Sequence, residues 1–233
     1  MHHEMPFSSE QYRGYSRWVA ERAMANNGNL PLWWINGEVR VSWELEIPRK
    51  TVDIIVEAVR QRLNELCGLR FAFKLFGQHE SFVEQLNACA LNGQVDQEKL
   101  FSLASMESWR DESNGGRQHA DVYITAKPFL GDAVSWGAAD FNFGVMFFAL
   151  YGQRYSHQSF LRTIALHEAG HLAGMPTHCE YLRIKGYAKN TCNMNSDLSS
   201  DGLCSKCKEY FRIFWETINQ EYGTYLCGQM MDF

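Results

Sequence analysis

The chain has 233 residues, 45% of them apolar and 21% charged, and carries a formal net charge of -5. That composition belongs to a soluble globular protein long enough to bury a sizeable core, and excludes an intrinsically disordered chain. No run of five or more Lys or Arg occurs, which argues against nucleic acid or an anionic membrane as a partner.

The start, MHHEMPFSSEQYRGY, lacks the basic and long apolar segments of an export signal. The most apolar later run, FGVMFFALYG, is too short to span a bilayer. A cytoplasmic protein is expected. Up to about residue 35 no hydrophobic period is clear, and no element is assigned. GEVRVSWELEI then alternates Val39, Val41, Trp43, Leu45 and Ile47 against polar neighbours, as a half-buried strand does, and Pro48 closes it. With Thr51 as N-cap, the next segment places Ile54, Ile55, Ala58, Val59 and Leu63 on one helical face, and Cys67-Gly68 ends it. LRFAFKLFG alternates again as a second strand.

Residues 78–118 look like an insertion of short helices, ESFVEQLNACAL and DQEKLFSLASMESWR, followed by a polar turn. ADVYIT is a strand, and AVSWGAADF and VMFFALYG are two more β-leaning runs. Residues 157–173 read as a helix with Phe160, Leu161, Ile164, Ala165 and Leu172 inward. A long loop follows over 174–202, and the last helix begins near Cys204 with Tyr210, Phe211, Phe214, Trp215 and Ile218 at helical spacing. This order is a mixed α/β layout, with one twisted sheet and helices packed on it.

The chemistry concentrates in IALHEAGHLAGMPTHC. Residues four apart on a helix are separated by about 40° around its axis, so His167 and His171 project from one face and can reach one ion. Zn²⁺ suits two imidazoles, and Glu168 beside that face can hold a proton without ligating. Gly174 and Pro176 stop the helix and turn the chain, and His178 returns as a third ligand, which leaves a position open as in a catalytic zinc site. Of the seven cysteines, four fall between Cys179 and Cys207. Cys179, Cys192, Cys204 and Cys207 form a metal-site pattern, for which a redox Cys-x-x-Cys or unpaired thiols are the other readings. Cys67, Cys89 and Cys227 are expected to be small, buried or half-buried thiols.

These motifs resemble the metzincin metalloproteases, whose pattern is H-E-x-x-H-x-x-G-x-x-H followed by a Met-turn. The resemblance is most specific to archaemetzincins, where a Cys follows the third His, a Cys-x-Met carries the Met-turn and a Cys-x-x-Cys closes a second zinc site. Here the counterparts are His178-Cys179, Cys192-Asn193-Met194 and Cys204-Ser205-Lys206-Cys207; the likeness extends from about Ala120 to Cys207. It implies a zinc peptidase with two zinc ions per chain. The catalytic zinc would lie on His167, His171 and His178, with Glu168 as general base and acid, and the structural zinc on Cys179, Cys192, Cys204 and Cys207. Met194 would form a floor under the ligands, and SWGAADF an edge strand for a peptide or protein substrate.

Family spacing puts the third ligand at Thr177, a poor zinc ligand, so one extra residue in the turn and ligation by His178 are expected. Cys179 to Cys192 is longer than the family spacing and Met194 to Cys204 shorter, so the Met-turn has slid along the loop or Cys192 is not its counterpart. Residues 1–173 and 174–233 are expected as two parts of one catalytic domain. The competing functions are a zinc-stabilised peptide-binding module with little turnover and a hydrolase on another H-E-x-x-H scaffold. Oligomeric state is not legible in the sequence.

Overall fold

The computed structural model describes residues 8–27, 37–68, 70–77, 87–108, 121–131, 135–142, 144–152, 154–179, 192–195, 198 and 200–223. In chain order the elements are α1 (Ser9–Asn27), β1 (Glu38–Trp43), α2 (Arg49–Cys67), β2 (Ala72–Gly77), β3 (Ala90–Leu91), β4 (Gln94–Val95) and α3 (Gln97–Ser108). They continue with β5 (Val122–Thr125), β6 (Gly137–Asp140), β7 (Val145–Ala149), a 3₁₀ turn (Arg154–Ser156), α4 (Gln158–Leu172) and α5 (Ser205–Tyr222).

The main sheet has the order β2-β1-β5-β7-β6. Its first four strands are parallel, and β6 runs antiparallel to β7 at one edge. Parallel strands are covered on both faces, and β5 and β7 are buried at every residue. Val122, Ile124, Met146 and Phe148 face the larger core, shared with α1, α2, α4 and α5. Tyr123, Val145, Phe147 and Ala149 face a second cluster built with Cys89, Val95, Leu100 and Phe101. The insertion therefore supplies the cover for the sheet's other face. The whole is a mixed α/β fold with a mostly parallel sheet.

Several local expectations need correction. The segment left unassigned contains α1, whose Tyr12, Ser16, Val19, Ala20 and Ala23 are buried. Its buried stripe includes serine and alanine, which blur the apolar period. It packs against α5, with Tyr12 edge-on to Tyr210 at 5.4 Å between ring centres. β1 stops at Trp43, because Glu44 is drawn aside: its carboxylate accepts from the Thr125 hydroxyl and the Ala126 N–H and pairs with Lys127. Leu45 is consequently exposed, while Ile47 is buried. The cap of α2 is Pro48 and not Thr51; at that position proline's missing N–H removes no helical bond, and its carbonyl accepts from Thr51 and Val52. Gly68 ends the helix in the left-handed region, φ 67°.

Of the first insertion helix, residues 80–86 lie outside the described set, and Ala90–Leu91 pairs with Gln94–Val95 as a tight hairpin instead. Phe160 is exposed and not inward; its ring meets Trp136 edge-on at 4.8 Å.

Candidate metal centre

Helix α4 lies in the larger core along α2, and its buried stretch from Ile164 to Leu172 includes both histidines and Glu168. At its end Gly174 adopts φ +110°. A Cβ there would stand 2.3 Å from Phe214 Cζ, so only glycine fits both the conformation and the space. Gly174→Ala is expected to destabilise the fold by about 3 kcal/mol or more, combining left-handed strain with overpacking; urea unfolding measures it. Tyr210 donates its hydroxyl proton to the Gly174 carbonyl, so the terminal helix holds the turn that redirects the chain toward His178.

The three histidines converge. The donor nitrogens of His167, His171 and His178 lie within 4.8 Å of one another, and the His178 ring stacks on that of His167 at 5.1 Å. Nδ1 of His167 faces the Asn193 carbonyl at 2.6 Å, and Nδ1 of His171 faces the Met175 carbonyl. A carbonyl only accepts, so both Nδ1 atoms carry the proton and both Nε2 atoms present lone pairs. Those two Nε2 atoms stand 3.0 Å apart. Two acceptors at that distance repel unless a cation lies between them and His178. Burial lowers the pKa of His167 to about 4 and that of His171 well below the ordinary value. Both rings are thus held in the neutral form that ligates a metal.

Glu168 is buried beside them, and burial raises its carboxyl to about 8. Its side chain lies against Gly137, the first residue of β6: a Cβ on Gly137 would stand 2.7 Å from Glu168 Cγ. The three histidines and Glu168 line a cleft of about 610 Å³ with Trp136, with Gly137, Ala138 and Ala139 of β6, and with Gln97 from the insertion.

The second cluster is of cysteines. The Sγ atoms of Cys179, Cys192, Cys204 and Cys207 lie within 4.8 Å of one another and are buried, with Cys179 to Cys204 at 3.7 Å and Cys192 to Cys207 at 3.5 Å. Disulfide sulfurs lie about 2.05 Å apart, so these are free thiols. Sulfurs at about 2.3 Å from a tetrahedral zinc lie about 3.8 Å from each other, which is close to the separations seen. The start of α5 adds donors, since Cys204 caps that helix and accepts from the Cys207 N–H. Cys67 is buried outside both clusters, Cys89 belongs to the second core, and Cys227 lies outside the described residues.

The stretch Cys192–Asn195 joins the two groups. Met194 is buried under α4, its Sδ only 2.2 Å from where a Cβ on Gly170 would be. Its carbonyl accepts from the Cys179 N–H at 2.7 Å, and the Asn195 side chain donates to the Cys179 carbonyl at 2.8 Å. His178, one residue past the position where the resemblance puts the third ligand, is the residue that meets His167 and His171. Sequence reasoning missed Asn193 and Arg62. Arg62 did leave a signal, a charged residue at helical spacing from Ala58 and Val59 on the buried face of α2.

No protein-family model and no curated protein sequence matches this chain. Among solved structures, the crystal structure of archaemetzincin from Methanopyrus kandleri matches over 77% of this chain and 97% of that one, with a TM-score of 0.50 at 15% sequence identity. The likeness is one of fold. The histidine and cysteine groups are the kinds of donor set that bind zinc. Among the described residues no helix is long and apolar enough to cross a membrane.

Proposed function

We propose that this chain is a zinc-dependent peptidase of the metzincin type. His167, His171 and His178 would hold the catalytic zinc, Cys179, Cys192, Cys204 and Cys207 a structural one, and Glu168 would be the general base and acid. The observation that carries the reading is the convergence of three imidazoles, those of His167 and His171 held neutral by burial, beside a buried carboxylate in a cleft walled by a sheet edge.

A bound zinc ion supplies Lewis acidity, which makes water easier to deprotonate and a carbonyl carbon easier to attack. Glu168 takes the proton from the attacking water on a carboxylate oxygen and delivers it to the leaving amine nitrogen. Gly137 leaves the space that Glu168 occupies. The far edge of β6 has no strand paired to it among the described residues, so an extended peptide can add its backbone there and lie across Glu168. Trp136, Phe160, Ile164 and Leu198 line the same cleft and favour apolar side chains of the substrate. The substrate is thus a peptide or protein segment, met in the cytosol, where free thiols persist.

Stripping the metal with a chelator is expected to abolish hydrolysis of a mixed peptide panel, and zinc to restore it. Metal analysis of the loaded protein is expected to give two zinc ions per chain. Hydrolysis that survives complete removal of metal would overturn the reading.

A further inference from the structure

The Arg62 side chain on α2 is 1% exposed. Its guanidinium reaches the backbone of α4 and the residues Asn193 and Asp201. Nε donates to the Leu166 carbonyl at 3.3 Å, and Nη2 donates to the Asp201 carbonyl at 2.7 Å and to Asn193 Oδ1 at 3.2 Å. Nη1 pairs with Glu65, whose side chain is 44% exposed.

Asn193 is tied down on every polar atom. Its side-chain amide donates to the carbonyls of Thr163 and Ser200 at 3.0 and 2.9 Å, and its N–H donates to the Gly202 carbonyl. Its own carbonyl receives the Nδ1 proton of His167. Its neighbours in the chain are Cys192, in the thiol cluster, and Met194, under Gly170. One residue thus connects the buried arginine, a histidine of the first cluster and a cysteine of the second.

A buried guanidinium whose directly paired carboxylate is exposed is costly unless other negative charge lies near. Besides Glu65, the charges that reach Arg62 are those of Cys192, the Asp201 carboxylate and Cys207, and four thiolates around a divalent ion carry a net negative charge.

We propose that Arg62 is a positioning residue that couples the two clusters: through Asn193 it holds His167 with Nε2 offered to a metal, and the metal-loaded thiol cluster balances its buried charge. The proposal rests on both clusters being metal sites. Coupling of this kind is reciprocal, so loading the thiol cluster raises the affinity of the histidine cluster, and the converse.

Zinc affinity of each cluster in the full chain, measured by chelator competition, tests it. Cobalt in place of zinc reports the thiol cluster separately through thiolate-to-metal absorption. Arg62→Met is expected to weaken metal binding at the histidines by about 10–100-fold, the usual effect of removing a group that orients a ligand. Asn193→Ala, which leaves the arginine in place, is expected to do the same, and the double variant to lose no more than the worse single one. Arg62→Lys keeps the charge without the planar fork, so it is expected to retain cobalt binding at the thiols while sharing the loss at the histidines.

Histidine-site affinity within about threefold of wild type in Arg62→Met would overturn the proposal, as would additive losses in the double variant. Where Arg62→Met does not fold, the same result in Asn193→Ala overturns it. A wild-type chain holding no metal on its histidines would overturn the peptidase reading as well, whereas metal held by both clusters with unchanged variants overturns the coupling alone.

Discussion

Glu168→Gln is expected to lower peptide hydrolysis by about 10²–10⁴-fold, the usual contribution of a positioned general acid-base, with zinc content unchanged. Glutamine keeps the volume that packs against Gly137 but cannot accept a proton from water. No other carboxylate lines the cleft among the described residues, so no neighbour can replace it. The histidine nitrogens are untouched, and metal loss would not accompany the loss of rate. Turnover is measured on the peptide panel and zinc by elemental analysis of the same sample. Wild-type turnover in the variant would sink the proposed mechanism. A variant of a pure binding module would show no change, because that wild type would already turn over little.

The second large effect is expected at the thiols. Cys204→Ser combined with Cys207→Ser should remove one zinc ion per chain and destabilise the fold by more than about 3 kcal/mol, since metal binding at such a site contributes directly to folding. The two cysteines lie at the start of α5, and the other two end the turn after α4 and begin the stretch under it. Without the ion those three segments are held only by packing and by bonds such as Cys179 N–H to the Met194 carbonyl. The remaining ion is expected on the histidines with weakened affinity. Elemental analysis and urea unfolding with and without zinc measure both effects. If a variant lacking all four cysteines still held two zinc ions, the thiol assignment would be wrong.

How much was legible depends on how local the signal was. Helices α2 and α5 were readable because their apolar residues recur at helical spacing and are buried in the fold. α1 had a readable start that the apolar period concealed: Ser8 and Gln11 cap it reciprocally, the Gln11 N–H bonding Ser8 Oγ and the Ser8 N–H bonding Gln11 Oε1, a capping box written in the sequence. The extension of β1 past Trp43 failed because Leu45 and Ile47 keep the alternation while Glu44 is held by groups on another strand. Phe160 was read as core on its period, yet the cleft lies on that side of α4.

By itself the sequence determined what depends on near neighbours. The pairing of His167 with His171, the place of Glu168 and the stop at Gly174 and Pro176 all follow from helix pitch and backbone freedom within ten residues. Only the tertiary structure decided which distant groups join them. His178 reaches the histidines because the turn after Gly174 is held by Tyr210 and Phe214 from α5. The four cysteines meet because Met194 and Asn195 bond back to Cys179. Arg62, more than a hundred residues earlier in the chain, meets Asn193 because α2 packs along α4. Such convergence is set by packing and by the need to satisfy buried polar groups; the histidine and cysteine spacing announced which donors would meet, but nothing in it recorded the contacts that bring them together or the meeting of Arg62 with Asn193.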